Sequence, residues 1–174
     1  MANFSFLNDK SEFSFFADAC IHAEELFKDS PNSSVTTSRK ALENIVKFIY
    51  ANNANLRNLK LKGQSLFDLM DNPSFQTVVP KRLHINMHKI RQLGNDILHN
   101  NHQVSKEQSI LCLRALFEIV QWVDKKYGKN YTPRSFDESC IPKNTSGWVN
   151  GLKGAAAAVV TLVVGKAILD NKRF

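Results

Sequence analysis

The chain has 174 residues, a length that fits one compact domain with an appendage. Hydrophobic residues make up 43% and charged residues 22%, enough to bury a core, while seven Gly and five Pro exclude collagen-like, linker-like and many-turned all-β chains. The net charge of +7 is uneven: residues 1–50 carry −2 and residues 51–174 carry +9, a basic excess that attracts polyanions such as nucleic acid or anionic lipid.

The start, MANFSFLNDKSEF, lacks a basic stretch followed by a long apolar run, so no secretory signal is expected. Three cysteines, at 20, 112 and 140, contain no CxxC pair, which excludes a disulfide scaffold and a cysteine-based zinc site and suits the reducing cytosol.

Helical punctuation then recurs along the chain. Asp9 with Glu12 three positions on has the form of a capping box, and Phe13, Phe16, Ala17, Cys20 and Phe27 follow at helical spacing. Ser30-Pro31 reads as a cap and first helical residue, opening a helix to about Tyr50 whose apolar face holds Val35, Leu42, Ile45, Val46 and Ile49. The polar, basic stretch 52–63 ends in Gly and reads as a loop. A short helix is expected over Ser65–Met70, stopped by Asn72-Pro73, and a longer one from after Pro80 to about His99. Ser105 with Gln108 forms a second capping box, starting a helix that stops at Gly128. No run alternates with period two for long enough to demand a sheet. The expected fold is all-α, an antiparallel four- to five-helix bundle over 1–128.

Residues 129–147 contain two Pro and no periodicity, and read as a linker. Residues 148–174 differ from both. Gly154–Gly165 is twelve uncharged residues, only about 18 Å of helix, whereas Trp148 to Leu169 gives about 33 Å if Lys153 and Lys166 snorkel. The expectation is a separate C-terminal hydrophobic helix over 148–169, serving as a membrane tail anchor or a self-association element; a soluble helix packed on the bundle is the alternative. Attachment to the inner membrane of an otherwise cytoplasmic protein would place the basic end, net +4 over 139–174, on the cytoplasmic side.

The stretch 81–100, KRLHINMHKIRQLGNDILHN, carries the chemistry. At about 100° per residue, His84, His88, Arg91, Asn95 and His99 fall in an arc of about 80°, and Leu83, Met87, Ile90, Leu93, Ile97 and Leu98 occupy the adjoining arc with Gly94 among them. One reading of this seam is structural: a hydrogen-bonding stripe that holds helices in register, with Arg39 and Glu43 on the second helix as partners and His88 in the same network. The other is acid–base work on RNA, in which His99 moves a proton, Arg91 stabilises phosphorane charge and Asn95 orients the phosphate. His84 and His88 have the spacing of a metal pair, but the HExxH context and a carboxylate on that stripe are missing, so no metal site and no cofactor are expected. Lys60, Lys62, Lys81, Arg82 and Lys89 are the candidate nucleic-acid contacts.

The sequence contains no GxxxxGK[ST] loop, no GxSxG elbow, no GxGxxG turn and no Glu followed two positions later by Lys. P-loop, hydrolase, dinucleotide-binding and ExK-type nuclease chemistry are excluded on those terms.

The segment NFSFLNDKSEF…ADACIHAEELFKDSPNSSVTTSRKALENIVKFIY, followed by IRQLGNDILHN, resembles the small helical domain at the N-termini of type I restriction R subunits and related helicases. That domain also occurs alone in bacteria as a domain of unknown function and is placed in the broad HEPN superfamily. The resemblance covers about residues 3–142. It implies a helical bundle, a role around nucleic acid in anti-phage defence, and Arg39, Glu43, Arg91, Asn95 and His99 as the polar positions. Active HEPN nucleases show Arg, a polar residue, three others, then His. With Asn95 and His99 on the last two anchors, the Arg position holds Gly94, and Arg91 leaves seven residues before His99. On this count the leading expectation is a non-catalytic nucleic-acid-associated or protein-interaction module of a restriction-type system, with a restriction or helicase protein as partner and a homo-oligomer as its form. A metal-independent HEPN-type RNase acting as a dimer, and a purely structural oligomerisation or tethering protein, are the alternatives.

Overall fold

The structure, a computed structural model, describes residues 2–59, 61–100 and 102–142. Among the described residues six α-helices follow one another: α1 (Ser14–Leu26), α2 (Pro31–Asn52), α3 (Leu66–Asp71), α4 (Pro73–Val78), α5 (Lys81–Asn100) and α6 (Lys106–Tyr127), preceded by two 3-10 turns at Ser5–Asp9 and Ser11–Phe13. Among the described residues there is no strand, and no helix is long and apolar enough to cross a membrane. The expected apolar helix over 148–169 lies outside the described residues.

Helix α2 is the spine of a helical bundle, packing on α1, α5 and α6. Its buried positions, Ser34, Val35, Ser38, Ala41, Leu42, Ile45, Val46, Ile49 and Tyr50, recur every three or four residues and form an unusually broad stripe. Each fully buried Leu or Ile there contributes roughly 1.5–3 kcal/mol of transfer free energy. The start is sharp because the Ser30 side chain accepts the Ser33 N–H and Pro31 needs no donor. Helix α6 begins with the full Ser105/Gln108 capping box.

The short helices are docked rather than self-supporting. Tyr50 donates its hydroxyl to the Leu69 carbonyl at 2.8 Å and stacks on Phe75 with centroids 5.4 Å apart, which ties both α3 and α4 to the spine. Asn72-Pro73 ends α3, as expected, but it also starts α4: Asn72 accepts the Ser74 N–H and Pro73 is the first helical residue.

The expected capping box at Asp9 and Glu12 does not form. Helix α1 starts at Ser14 with no side-chain cap, and Glu12 accepts the Lys129 N–H at 2.9 Å instead. The reason is packing: two 3-10 turns bring Leu7 and Phe13 inward beside Phe4, and Phe13 joins an aromatic cluster with Phe16 and Phe48.

Residues 129–142, read from sequence as the start of a linker, lie against the bundle. Asn3 and Asp137 exchange two hydrogen bonds, Phe136 packs edge-on against Phe117, and Ile141 is buried. Residues 129–142 belong to the same compact unit as the helices. Its two ends are organised by buried carboxylates. Glu24 accepts from Asn3 N, Asn3 Nδ2 and Phe4 N, and the fully buried Asp124 accepts from Lys10 Nζ at 2.9 Å with Arg134 at 3.5 Å.

Candidate functional site: the polar seam of α5

Helix α5 buries Leu83, Met87, Ile90 and Gly94, a stripe with the helical period. Leu98, expected on the same face, is 52% exposed, because α5 runs past the end of the core there. Along the border of that stripe the seam takes shape against α2 and α3.

Gly94 sets the spacing of α2 and α5. A Cβ at this position would stand 2.7 Å from Arg39 Cδ and 2.8 Å from Arg39 Cβ, so Arg39 crosses α5 over the bare glycine. Beyond it, Arg39 Nε donates to Asn95 Oδ1 at 2.7 Å, and the far end of the guanidinium reaches Glu43 at 3.9 Å. Glu43 is held more closely by Lys47, at 2.7 Å. Arg39, Glu43 and Asn95 are therefore joined by direct contacts.

Arg91 does not join them through Glu43. Its guanidinium lies over the ring of Phe67 on α3, 5.1 Å from the centroid, and its buried Nε has no hydrogen-bond partner. Burial, and then the nearby Arg39 charge, pull Arg91 below its ordinary pKa, with Asp96 opposing. His88 packs edge-on against the same Phe67, and His84 meets His88 with centroids 4.5 Å apart. The His84 Nε2 lies 2.8 Å from the Met70 carbonyl oxygen, which requires an N–H on that nitrogen. Burial lowers the pKa of His88, and the His84 and Arg91 charges lower it further against the opposing Asp71, which favours the neutral imidazole.

His99 stands apart from these contacts: it is exposed, and among the described residues nothing binds it. It follows Arg91 by eight residues, about 12 Å along the helix axis. Of the candidate nucleic-acid contacts, Lys62, Lys81 and Lys89 are exposed, while Arg82 pairs with Glu118 at 2.6 Å. Lys60 lies outside the described residues. Among the described residues no three His, Cys, Asp or Glu side chains gather as a metal site. Cys20 and Cys112 are buried, and burial pushes both thiols up, Cys112 to about 12, which removes them as thiolate nucleophiles.

Phe67 is the participant that sequence reasoning missed. It is 44% exposed between the buried Leu66 and Leu69, on a six-residue helix too short to reveal a face by periodicity. An exposed aromatic beside a cationic seam was the available signal.

What these observations define is a helical-bundle module with a polar seam bordering its core. The chain belongs to the family described as "Domain of unknown function (DUF4145)", whose model matches residues 22–134. No curated protein and no solved structure matches it.

Proposed function

We propose that this protein is a non-catalytic, nucleic-acid-associated module of a bacterial restriction-type or anti-phage system, with the HEPN-like four- to five-helix arrangement that its sequence resemblance implies. The observation that carries the non-catalytic part is where the seam's groups are engaged. Asn95 holds Arg39, Arg91 rests on Phe67, and His84 faces the Met70 carbonyl. That leaves His99 alone, about 12 Å of helix away from Arg91, too far for both to serve one phosphate within a single chain. The association with nucleic acid draws on the family resemblance and on the +9 of residues 51–174.

Incubating the full chain with total RNA in EDTA tests this reading. Intact RNA, together with salt-sensitive retention on a nucleic-acid column, is the expected result. Cleavage that disappears in His99→Ala would overturn it in favour of a metal-independent RNase that brings His99 and Arg91 together across a dimer. The 148–169 segment is proposed as a separate attachment device. Fractionating cells that express the full chain beside a version ending at Lys143 tests that part: two soluble monomers of the same apparent size would refute it.

A further inference from the structure

One end of the bundle gathers positive charge that its own carboxylates do not neutralise. Three segments are locked together there. Lys126 Nζ donates to the Val78 carbonyl at 3.2 Å, which fastens the C-terminus of α6 to the turn leading into α5. Asn53 Nδ2 donates to the Tyr127 hydroxyl at 3.2 Å, which fastens the loop after α2 to the same place. The Arg57 N–H donates to the Asn53 carbonyl, one turn away, and Lys81 follows Val78 by three residues. Arg57, Lys81, Lys125 and Lys126 are thus carried on neighbouring backbone, and all four are exposed.

The carboxylates near this end are already engaged. Glu118 pairs with Arg82 and accepts from Asn86, the buried Asp124 holds Lys10 and Arg134, and Glu12 accepts the Lys129 N–H. Among the described residues no carboxylate lies within ion-pair distance of Arg57, Lys81, Lys125 or Lys126. Nor does folding account for Lys81, which sits in the first turn of α5, where the helix dipole disfavours a cation. Lys126 also lies over the Trp122 ring at 5.0 Å, which holds its ammonium in one position beside the Val78 carbonyl.

We propose that this end of the bundle, formed by Arg57, Lys81, Lys125 and Lys126, is the surface on which a nucleic-acid phosphate backbone docks. The proposal rests on the nucleic-acid reading above and gives it a location in place of the Arg39–Asn95 seam. Contacts of this kind read charge and spacing, not base sequence, so the surface takes single strands and duplexes of mixed sequence.

The test uses the full chain and fluorescein-labelled 30-mers, one single-stranded RNA and one DNA duplex, titrated by anisotropy from 50 to 300 mM salt. The triple variant K81A/K125A/K126A is compared with K40A/K62A/K89A, which removes the same charge from exposed positions elsewhere, and circular dichroism checks that both stay helical. In the counterion-release regime each phosphate contact removed from the duplex flattens the salt slope by about 0.9 and weakens binding about eightfold at 0.1 M salt. The expected result is a loss of this kind for each charge in the first variant and binding within about threefold of the parent in the second. Equal losses in both variants, or a loss confined to the second, would overturn the location while leaving the nucleic-acid reading intact. No binding by the parent chain would overturn both, and binding to anionic phosphatidylserine vesicles alone would identify a lipid surface instead.

Discussion

Asp124 and Arg91 both stand at the rim of the same core, yet only Asp124 meets the opposite charge there. Around Asp124 two cations converge on one fully buried carboxylate: Lys10 at 2.9 Å on one oxygen, Arg134 at 3.5 Å on the other, and Arg134 in turn over the Phe6 ring at 4.1 Å. Along the α5 seam the shared carboxylate is only half-buried. Arg39 shares Glu43 with Lys47, and Arg91 has an aromatic face in place of a carboxylate. A buried pair of excellent geometry fixes a joint, because removing either partner strands the other in low dielectric. A half-exposed guanidinium on a ring is worth much less and leaves its outer N–H groups available.

The contrast can be broken most decisively at Asp124. Asp124→Ala leaves Lys10 buried beside the Lys129 and Asn130 carbonyls alone, and the expected loss is about 3–5 kcal/mol in urea unfolding. A loss below about 1 kcal/mol would mean that the two regions do not differ as described. Gly94→Ala comes next. Helix propensity favours alanine by about 1 kcal/mol, but the clash with Arg39 Cβ and Cδ, close to the α2 backbone, forces overpacking of about 1–3 kcal/mol. Net destabilisation of about 1 kcal/mol is expected from the same unfolding curves, together with a shift in the Asn95 side-chain amide resonances.

A double-mutant cycle sharpens the comparison within the seam itself. Arg39→Ala and Asn95→Ala should show a coupling of about 1 kcal/mol, since a charged donor at 2.7 Å is only part-buried there. The smallest effect concerns pH. Because His88 binds its proton less readily in the folded chain than in the unfolded one, protonation favours the unfolded chain. This penalty is absent well above pH 6.5 and grows as pH falls through the unfolded value. The urea midpoint should therefore decline from pH 7.5 to pH 5, and His88→Gln should flatten that decline. An identical decline in the variant would assign it to other groups.

Helix boundaries were legible wherever their cause was local. Ser30-Pro31 and the Ser105/Gln108 box lie within four residues of the ends that they define, so the sequence carries the signal whole. Pro73 shows the limit of that logic, because the same residue that stops α3 is an ideal first residue for α4. Asp9 and Glu12 have the right spacing for a cap, but the burial of Phe4, Leu7 and Phe13 outweighs one exposed hydrogen bond and re-aims Glu12 at Lys129. The seam was readable as an arc of α5, since that follows from helical period. Phe67 under Arg91 was not, nor was the reciprocal bond between Asn3 and Asp137. Those contacts join elements far apart in the chain, and neither periodicity nor spacing encodes them.

That Asn3–Asp137 clasp bears on where the bundle could be joined to another chain. It brings the incoming and outgoing segments of the bundle to one spot on its surface, closed by two hydrogen bonds between the Asn3 side-chain carboxamide and the Asp137 backbone N–H and carbonyl. A unit whose ends nearly touch can be set into a surface loop of a host without prising that loop open. It also fixes where to cut. Residues 22–134 alone would leave behind Phe4, Phe13, Phe16 and Ile141 from the buried interior, so the smallest piece that keeps its own hydrophobic filling runs from about residue 2 to about residue 142.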